Sequence, residues 1–210
     1  EDMLPYDKYM MNELSNYVKE IKSYYEKYEY QNVYKTTNNF ITFKLSNFYL
    51  DFTKDILYIE KEDSLVRRSV QTVLYNIVKN LVVLLAPILP YTSEEVYRFI
   101  PGEKLESVHL NDMPEVPNYE FDSKLWELFF DVKDDVFKAL EEARNEKVIG
   151  SSLEAEVKLN LGEKYKPVRE QLEKYLHQLL IVSKVEFTDD ETLPKASAIR
   201  VEVLKSNGHK

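Results

Sequence analysis

The chain has 210 residues, 44% of them apolar, enough to bury a core in one large domain or in one domain with a small appendix. Its 28 basic and 37 acidic side chains leave a net charge of −9, which disfavours strong nonspecific nucleic-acid binding, because such binding rests on neutralising phosphates with Lys and Arg. It has no cysteine for a disulfide or thiolate metal site, its three scattered histidines cannot build a zinc site alone, and no apolar run approaches the roughly 20 residues of a membrane span. The first residues are Glu1-Asp2 rather than Met, so the sequence reads as a piece of something longer; no signal peptide opens it, and the lack of cysteine is compatible with the reducing cytoplasm expected for it.

Tyr9, Met10, Leu14, Tyr17, Val18, Ile21 and Tyr25 recur at three- and four-residue steps and predict a helix over about 6–29. Val33, Thr37, Phe40, Ile41, Lys44, Leu45, Phe48, Tyr49, Phe52 and Ile56 keep that period and predict a second helix over 31–57 with an aromatic buried face. Residues 60–64 break the pattern, and Asp63 or Ser64 is placed to cap a third helix. In it Val66, Val70, Val73, Leu74, Ile77, Leu81 and Leu84 form the buried face, Arg68, Gln71, Tyr75 and Lys79 line the opposite side, and Pro87 ends the run. Thr92-Ser93-Glu94-Glu95 reads as a capping box opening a fourth helix, which gives Glu95 a structural duty without catalysis.

Residues 101–120, with Pro101, Gly102, Pro114 and Pro117, predict an irregular crossing. A helix over 121–145 then buries Leu125, Phe129, Val132, Val136, Leu140 and Ala143. From there the period changes: Val157, Leu159 and Leu161 alternate, 165–179 is helical, 180–187 is β-rich, and Ile199, Val201 and Val203 alternate again. The expected fold is mainly α, an antiparallel helical bundle over 1–148 followed by a small α/β appendix over 149–210.

No Gly-rich phosphate loop, cysteine nucleophile, or serine in company with His and Asp appears, so no catalytic site is expected here. The binding candidates are aromatic and basic. Lys54 and Tyr58 pair a lysine with an aromatic suited to stacking on an unpaired base, although Tyr58 equally reads as a core residue closing the second helix. Arg67 and Arg68 open the third helix, where planar guanidinium groups suit phosphate oxygens, and Arg68 shares a face with Gln71 and Tyr75. Cations near a helix N-terminus are mildly unfavourable, and Glu60, Glu62 and Asp63 offer both arginines partners within the chain. Arg144 and Lys147 flank Ile149-Gly150-Ser151-Ser152, where a glycine turn with exposed amides suits phosphate, though a helix C-terminus favours cations in any case. His109 and His177 read as structural histidines in apolar surroundings.

The stretch 64–100, with Ala86-Pro87-Ile88-Leu89-Pro90 followed by Glu94-Glu95, resembles the anticodon-binding helical domain of class I aminoacyl-tRNA synthetases. LPYDKYMMNEL at 4–14, LSNFYLDFTKDILY at 45–58, RRSVQTVLY at 67–75, SVHLNDMP at 107–114 and ARNEKVIGSSLEAEV at 143–157 stand in the order of the isoleucyl branch. The Leu-Ala-Pro-x-Leu-Pro element alone is shared with valyl, leucyl and methionyl relatives. The resemblance implies tRNA(Ile) as partner, contact with the anticodon arm through the candidates above, the remaining synthetase domains as a second partner, and a monomer. It implies no cofactor in this chain. ATP with magnesium goes to the parent enzyme, whose His-Ile-Gly-His and Lys-Met-Ser-Lys-Ser type signatures lie upstream in this branch and are absent here, and editing goes to a separate upstream insertion. Zinc also goes to the parent, since in bacterial members a stretch similar to Gly208-His209-Lys210 leads into a Cys-x-x-Cys-Trp module.

Asp7-Lys8-Tyr9 departs mildly from the commoner Asp-Arg-Trp or Asp-Arg-Tyr. Related synthetases place part of their anticodon contact on a helix upstream of residue 1, so weak isolated affinity is expected. Two alternatives stay open: the same region of a valyl-tRNA synthetase or another class I relative, and an acidic helical protein-interaction module whose binding would not depend on salt.

Overall fold

The computed structural model describes residues 3–119 and 121–206, and its first helix starts at Pro5, whose fixed φ and missing N–H suit the first turn. The helical elements of the first part are α1 (Pro5–Glu26), α2 (Tyr30–Asn39), α3 (Asp51–Ile59), α4 (Leu65–Leu85) and α5 (Pro90–Phe99). α1 packs on α2 and α4, α3 on α4, and α4 on α5. The core is aromatic: Tyr6 and Tyr49 meet the Phe52 ring edge-on at 5.1 and 5.6 Å, and Tyr17 stacks on Phe40 at 4.5 Å.

The second predicted helix is present, but its middle is a π-helical run, Phe40–Leu50, joining α2 to α3. Hydrogen bonds from i to i+5 widen the turn, yet Phe40, Phe48, Tyr49, Phe52 and Ile56 are buried as predicted, with Thr53 joining them. Ile41, expected on the buried face, is rotated out to 38% exposure.

Two expected caps do not form. Ser64 occupies the N-cap of α4 without a side-chain bond. α5 starts at Pro90, two residues before the predicted box, and places Thr92 inside the helix. Glu94 instead reaches forward, accepting from Ser107 Oγ at 2.8 Å and from the Val108 amide at 2.9 Å, which fixes the crossing segment. That segment, α5 and the end of α4 build a second cluster of Val82, Val83, Ala86, Tyr97, Ile100 and Val108. Along the far side of α4, Arg68, Gln71 and Lys79 are exposed and Tyr75 is half-buried.

The remaining helices are α6 (Ser123–Asn145), α7 (Gly162–Leu172) and α8 (Leu176–Leu179); the strands are β1 (Ala155–Asn160), β2 (Lys184–Phe187) and β3 (Arg200–Lys205). The sheet order is β2-β1-β3, with β1 and β2 parallel (Val157 opposite Val185) and β1 and β3 antiparallel (Val157 opposite Val203). Val157 and Leu159 are fully buried and Leu161 nearly so, as the alternation predicts, and Ala155 joins them. Compact units are Glu1–Phe121 and Asp122–Lys210, so the division falls before α6 rather than at 148/149. The reason is packing, since α6 lies against α7 and β3.

With four glycines in the chain, three helices end on other residues. Tyr28, Lys147 and Ile181 take φ of 58°, 61° and 55° after α1, α6 and α8. Each sits between paired bonds, as at α6, where the Lys147 amide donates to Arg144 O at 3.1 Å and the Val148 amide to Ala143 O at 2.9 Å.

Candidate nucleic-acid interface

α3 and α4 are joined by a short turn, and Arg67 ties that turn to α4 by donating from Nη1 to Glu60 O at 2.9 Å. Its Nε is buried with no partner among the described residues, so Arg67 is largely absorbed by the fold. The end of α3 and the start of α4 thus share one end of the first unit, and the side chains there point outward. Tyr58 is 87% exposed, Ile59 79% and Leu65 81%. Tyr58 is not the core residue its position after Leu57 allowed.

Arg68 and Gln71 are exposed on α4, and like Tyr58 their side chains make no hydrogen bond or ion pair with any described residue. Tyr75, two turns further on, is half-buried. Its hydroxyl donates to Pro101 O at 3.3 Å and Lys79 Nζ lies 5.9 Å from its ring, so it clamps the crossing segment instead of presenting a free face. Lys54 is exposed and ion-paired with Asp51 at 2.8 Å, which raises its pKa, first through the hydrogen bond and then through the carboxylate charge. This first-unit group therefore separates into uncommitted residues (Tyr58, Arg68, Gln71) and residues with structural duties (Lys54, Arg67, Tyr75).

Arg144 and Lys147 lie in the second unit. Arg144 Nη2 donates to Ser152 Oγ at 3.0 Å, and Lys147 is exposed on its left-handed turn. The expected glycine turn is absent: Lys147 makes the reversal, while the Gly150 amide is taken by the Glu154 carboxylate at 3.2 Å. His109 and His177 are exposed, contrary to the apolar setting expected, because each lies on the outer side of a short helical turn. His209 lies outside the described residues. Among the described residues no three His, Cys, Asp or Glu side chains are grouped to hold a metal ion, and no helix is long and apolar enough to cross a membrane.

Sequence reasoning passed over the polar anchors of both cores. Asp7, fully buried, accepts from Tyr49 Oη at 2.5 Å and from Ser69 Oγ. Burial pushes its carboxyl above the ordinary value, against the lowering effect of those bonds. The available signal was a carboxylate on the apolar stripe of α1, next to Tyr6.

Residues 7–159 match the family model described as the anticodon-binding domain of tRNA ligase. The chain is 52% identical over 189 residues to an isoleucine–tRNA ligase of Staphylococcus carnosus (strain TM300), covering 88% of this chain and 20% of that protein. It is 49% identical over 193 residues to isoleucine–tRNA ligases of Staphylococcus epidermidis and Staphylococcus aureus (strain JH9), covering 90% of this chain and 21% of each. The chain thus spans about a fifth of the length of these relatives.

Proposed function

Given that the chain belongs to the family of anticodon-binding domains of tRNA ligases, we propose that it is the region of an isoleucine–tRNA ligase that holds the anticodon arm of tRNA(Ile). The parent would activate isoleucine with ATP and magnesium and transfer it to that tRNA in the cytoplasm, acting as a monomer. The zinc expected of the parent is likewise proposed for the parent and not for the described residues.

The observation that carries this reading is the exposed, uncommitted set Tyr58, Arg68 and Gln71 at one end of the first unit. An aromatic face stacks on an unpaired base, a guanidinium grips phosphate, and a carboxamide reads a base edge. Lys54, Arg67 and Tyr75 remain candidates in the first unit, Arg67 by bracing the turn between α3 and α4, and Arg144 and Lys147 are separate candidate cations of the second unit. The net charge of −9 makes such binding local: it rests on a few placed cations, not on a basic field.

The test is equilibrium binding of the chain to tRNA(Ile) and to the same transcript with an altered anticodon across a salt series. Tighter binding to the native anticodon, weakening as salt rises, is the expected result. Equal affinity for both transcripts, or affinity indifferent to salt, would overturn the assignment.

A further inference from the structure

α1 and the helix opposite it enclose a groove of about 330 Å³. Its floor is the Tyr17–Phe40 stack, 4.5 Å between centroids and 15° from parallel, and Tyr17 Oη is already bonded to Thr37 Oγ1 at 2.8 Å. At one end Lys44 neutralises Glu13 through a 3.1 Å ion pair. The remaining polar lining is unsatisfied within the chain: Asn16, Glu20 and Asn39 are exposed and make no side-chain hydrogen bond or ion pair with any described residue. Phe43, 59% exposed, offers a ring beside them. Phe40, Phe43 and Lys44 all belong to the π-helical run, and such departures from α-helical geometry recur at functional sites.

We propose that this groove receives an arginine side chain carried on an extended segment of a partner polypeptide. Two carboxylates face one ammonium, so the lining carries an uncompensated negative charge at Glu20, which attracts a cation and repels RNA phosphate. A guanidinium fits this lining better than an ammonium. Its weakly hydrated flat face suits the exposed Phe43 ring, and its five donors match a lining of carboxylate and amide oxygens supplied by Glu20, Asn16 and Asn39. The groove is larger than a guanidinium alone and has room for the stem and flanking backbone, so a segment is the occupant.

The test titrates the 210-residue chain with the peptide acetyl-Ala-Arg-Ala-amide and with its citrulline and lysine counterparts, following the side-chain amide signals of Asn16 and Asn39 by NMR. The arginine peptide should shift both signals saturably and the neutral citrulline peptide should not. Glu20→Gln and Phe43→Ala should each weaken arginine-peptide binding roughly threefold, the scale of one exposed ion pair or cation–π contact, with unfolding midpoints unchanged. Equal shifts by the citrulline or lysine peptide would overturn the assignment, as would binding indifferent to Glu20→Gln. So would an anticodon stem-loop RNA moving these signals where the arginine peptide does not.

Discussion

Among the described residues each unit buries one carboxylate on a helix, Asp7 on α1 and Asp135 on α6, and the two are satisfied in different ways. Asp7 accepts from two side-chain hydroxyls, those of Tyr49 and Ser69, which come from the π-helical run and α4. Asp135 accepts from three consecutive backbone amides, Ser197 at 3.2 Å, Ala198 at 2.6 Å and Ile199 at 3.0 Å, and so pins the segment leading into β3. Hydroxyls rotate and serve as donor or acceptor, whereas a run of amides can only donate and is fixed by the backbone. The bundle's anchor should therefore tolerate a neutral isostere, and the appendix's anchor should not.

Asp135→Ala is the harshest way to break that contrast. It strands three amide donors that had charge-assisted bonds, and should cost about 3 kcal/mol or more in denaturant unfolding. Asp135→Asn should cost less than that but more than about 1 kcal/mol, because its amide oxygen can keep the Ala198 and Ile199 bonds while its NH₂ is left facing the Ser197 amide. Asp7→Ala leaves the Tyr49 hydroxyl buried without an acceptor, for about 1–3 kcal/mol, whereas Asp7→Asn should cost under about 1 kcal/mol at neutral pH because Ser69 can reverse its role. The pH dependence sharpens the point. Because burial raises the Asp7 carboxyl above 3.8, the native state binds that proton more tightly than the unfolded chain. Its stabilising contribution is full in acid and is lost as pH rises through the folded value, and Asp7→Asn should remove that trend from a pH series of unfolding midpoints. Equal costs for Asp7→Asn and Asp135→Asn would remove the distinction between the two anchors.

How much of this was legible in the sequence follows the same line. Helix faces built from Leu14, Val18, Ile21, Val70, Val73 and Val136 follow from their spacing, because one side chain per turn buries apolar area whatever surrounds it. The strand, helix, strand, strand order of the appendix was readable from the change of period at Val157. The π-helical run was not, since its residues also fit a 3.6 period and only packing on α1 selects the wider turn. Thr92 failed as a cap because Pro90 starts the helix first, and Lys147 displaced Gly150 because the position of the reversal is set by where α6 ends. Within the site, Arg68 and Gln71 were placed correctly on the outer face by periodicity alone. The separation of Arg67 from Arg68, and of Tyr58 from Tyr75, needed knowledge of the crossing segment and the 60–64 turn.

Smaller effects probe the loops. Lys147→Gly should stabilise the second unit by about 1 kcal/mol, because a side chain at φ 61° carries a left-handed cost that glycine avoids. Glu94 behaves opposite to Asp7 in acid. The Ser107 hydroxyl and then the Val108 amide hold its carboxyl below 4.5, so its contribution is present above that value and is lost as pH falls through the folded value. The Val108 amide signal should follow that titration in NMR, and Glu94→Gln should abolish the response.

The smallest expected change in stability belongs to the residues with the largest proposed role in binding. Tyr58→Ala and Arg68→Ala should leave the unfolding free energy within about 0.5 kcal/mol, since neither side chain makes a hydrogen bond or ion pair with any described residue. Arg67→Ala should be the more destabilising of the two arginine variants, because it removes the bond to Glu60 O. Against tRNA the order should invert. Tyr58→Ala loses one stacking platform, about 1–3 kcal/mol, and Arg68→Ala weakens binding while lowering the salt slope by about one. A loss of tRNA affinity that tracked Arg67 and left Arg68 silent would mean the turn it braces is the recognition element and the exposed face of α4 is only solvated surface.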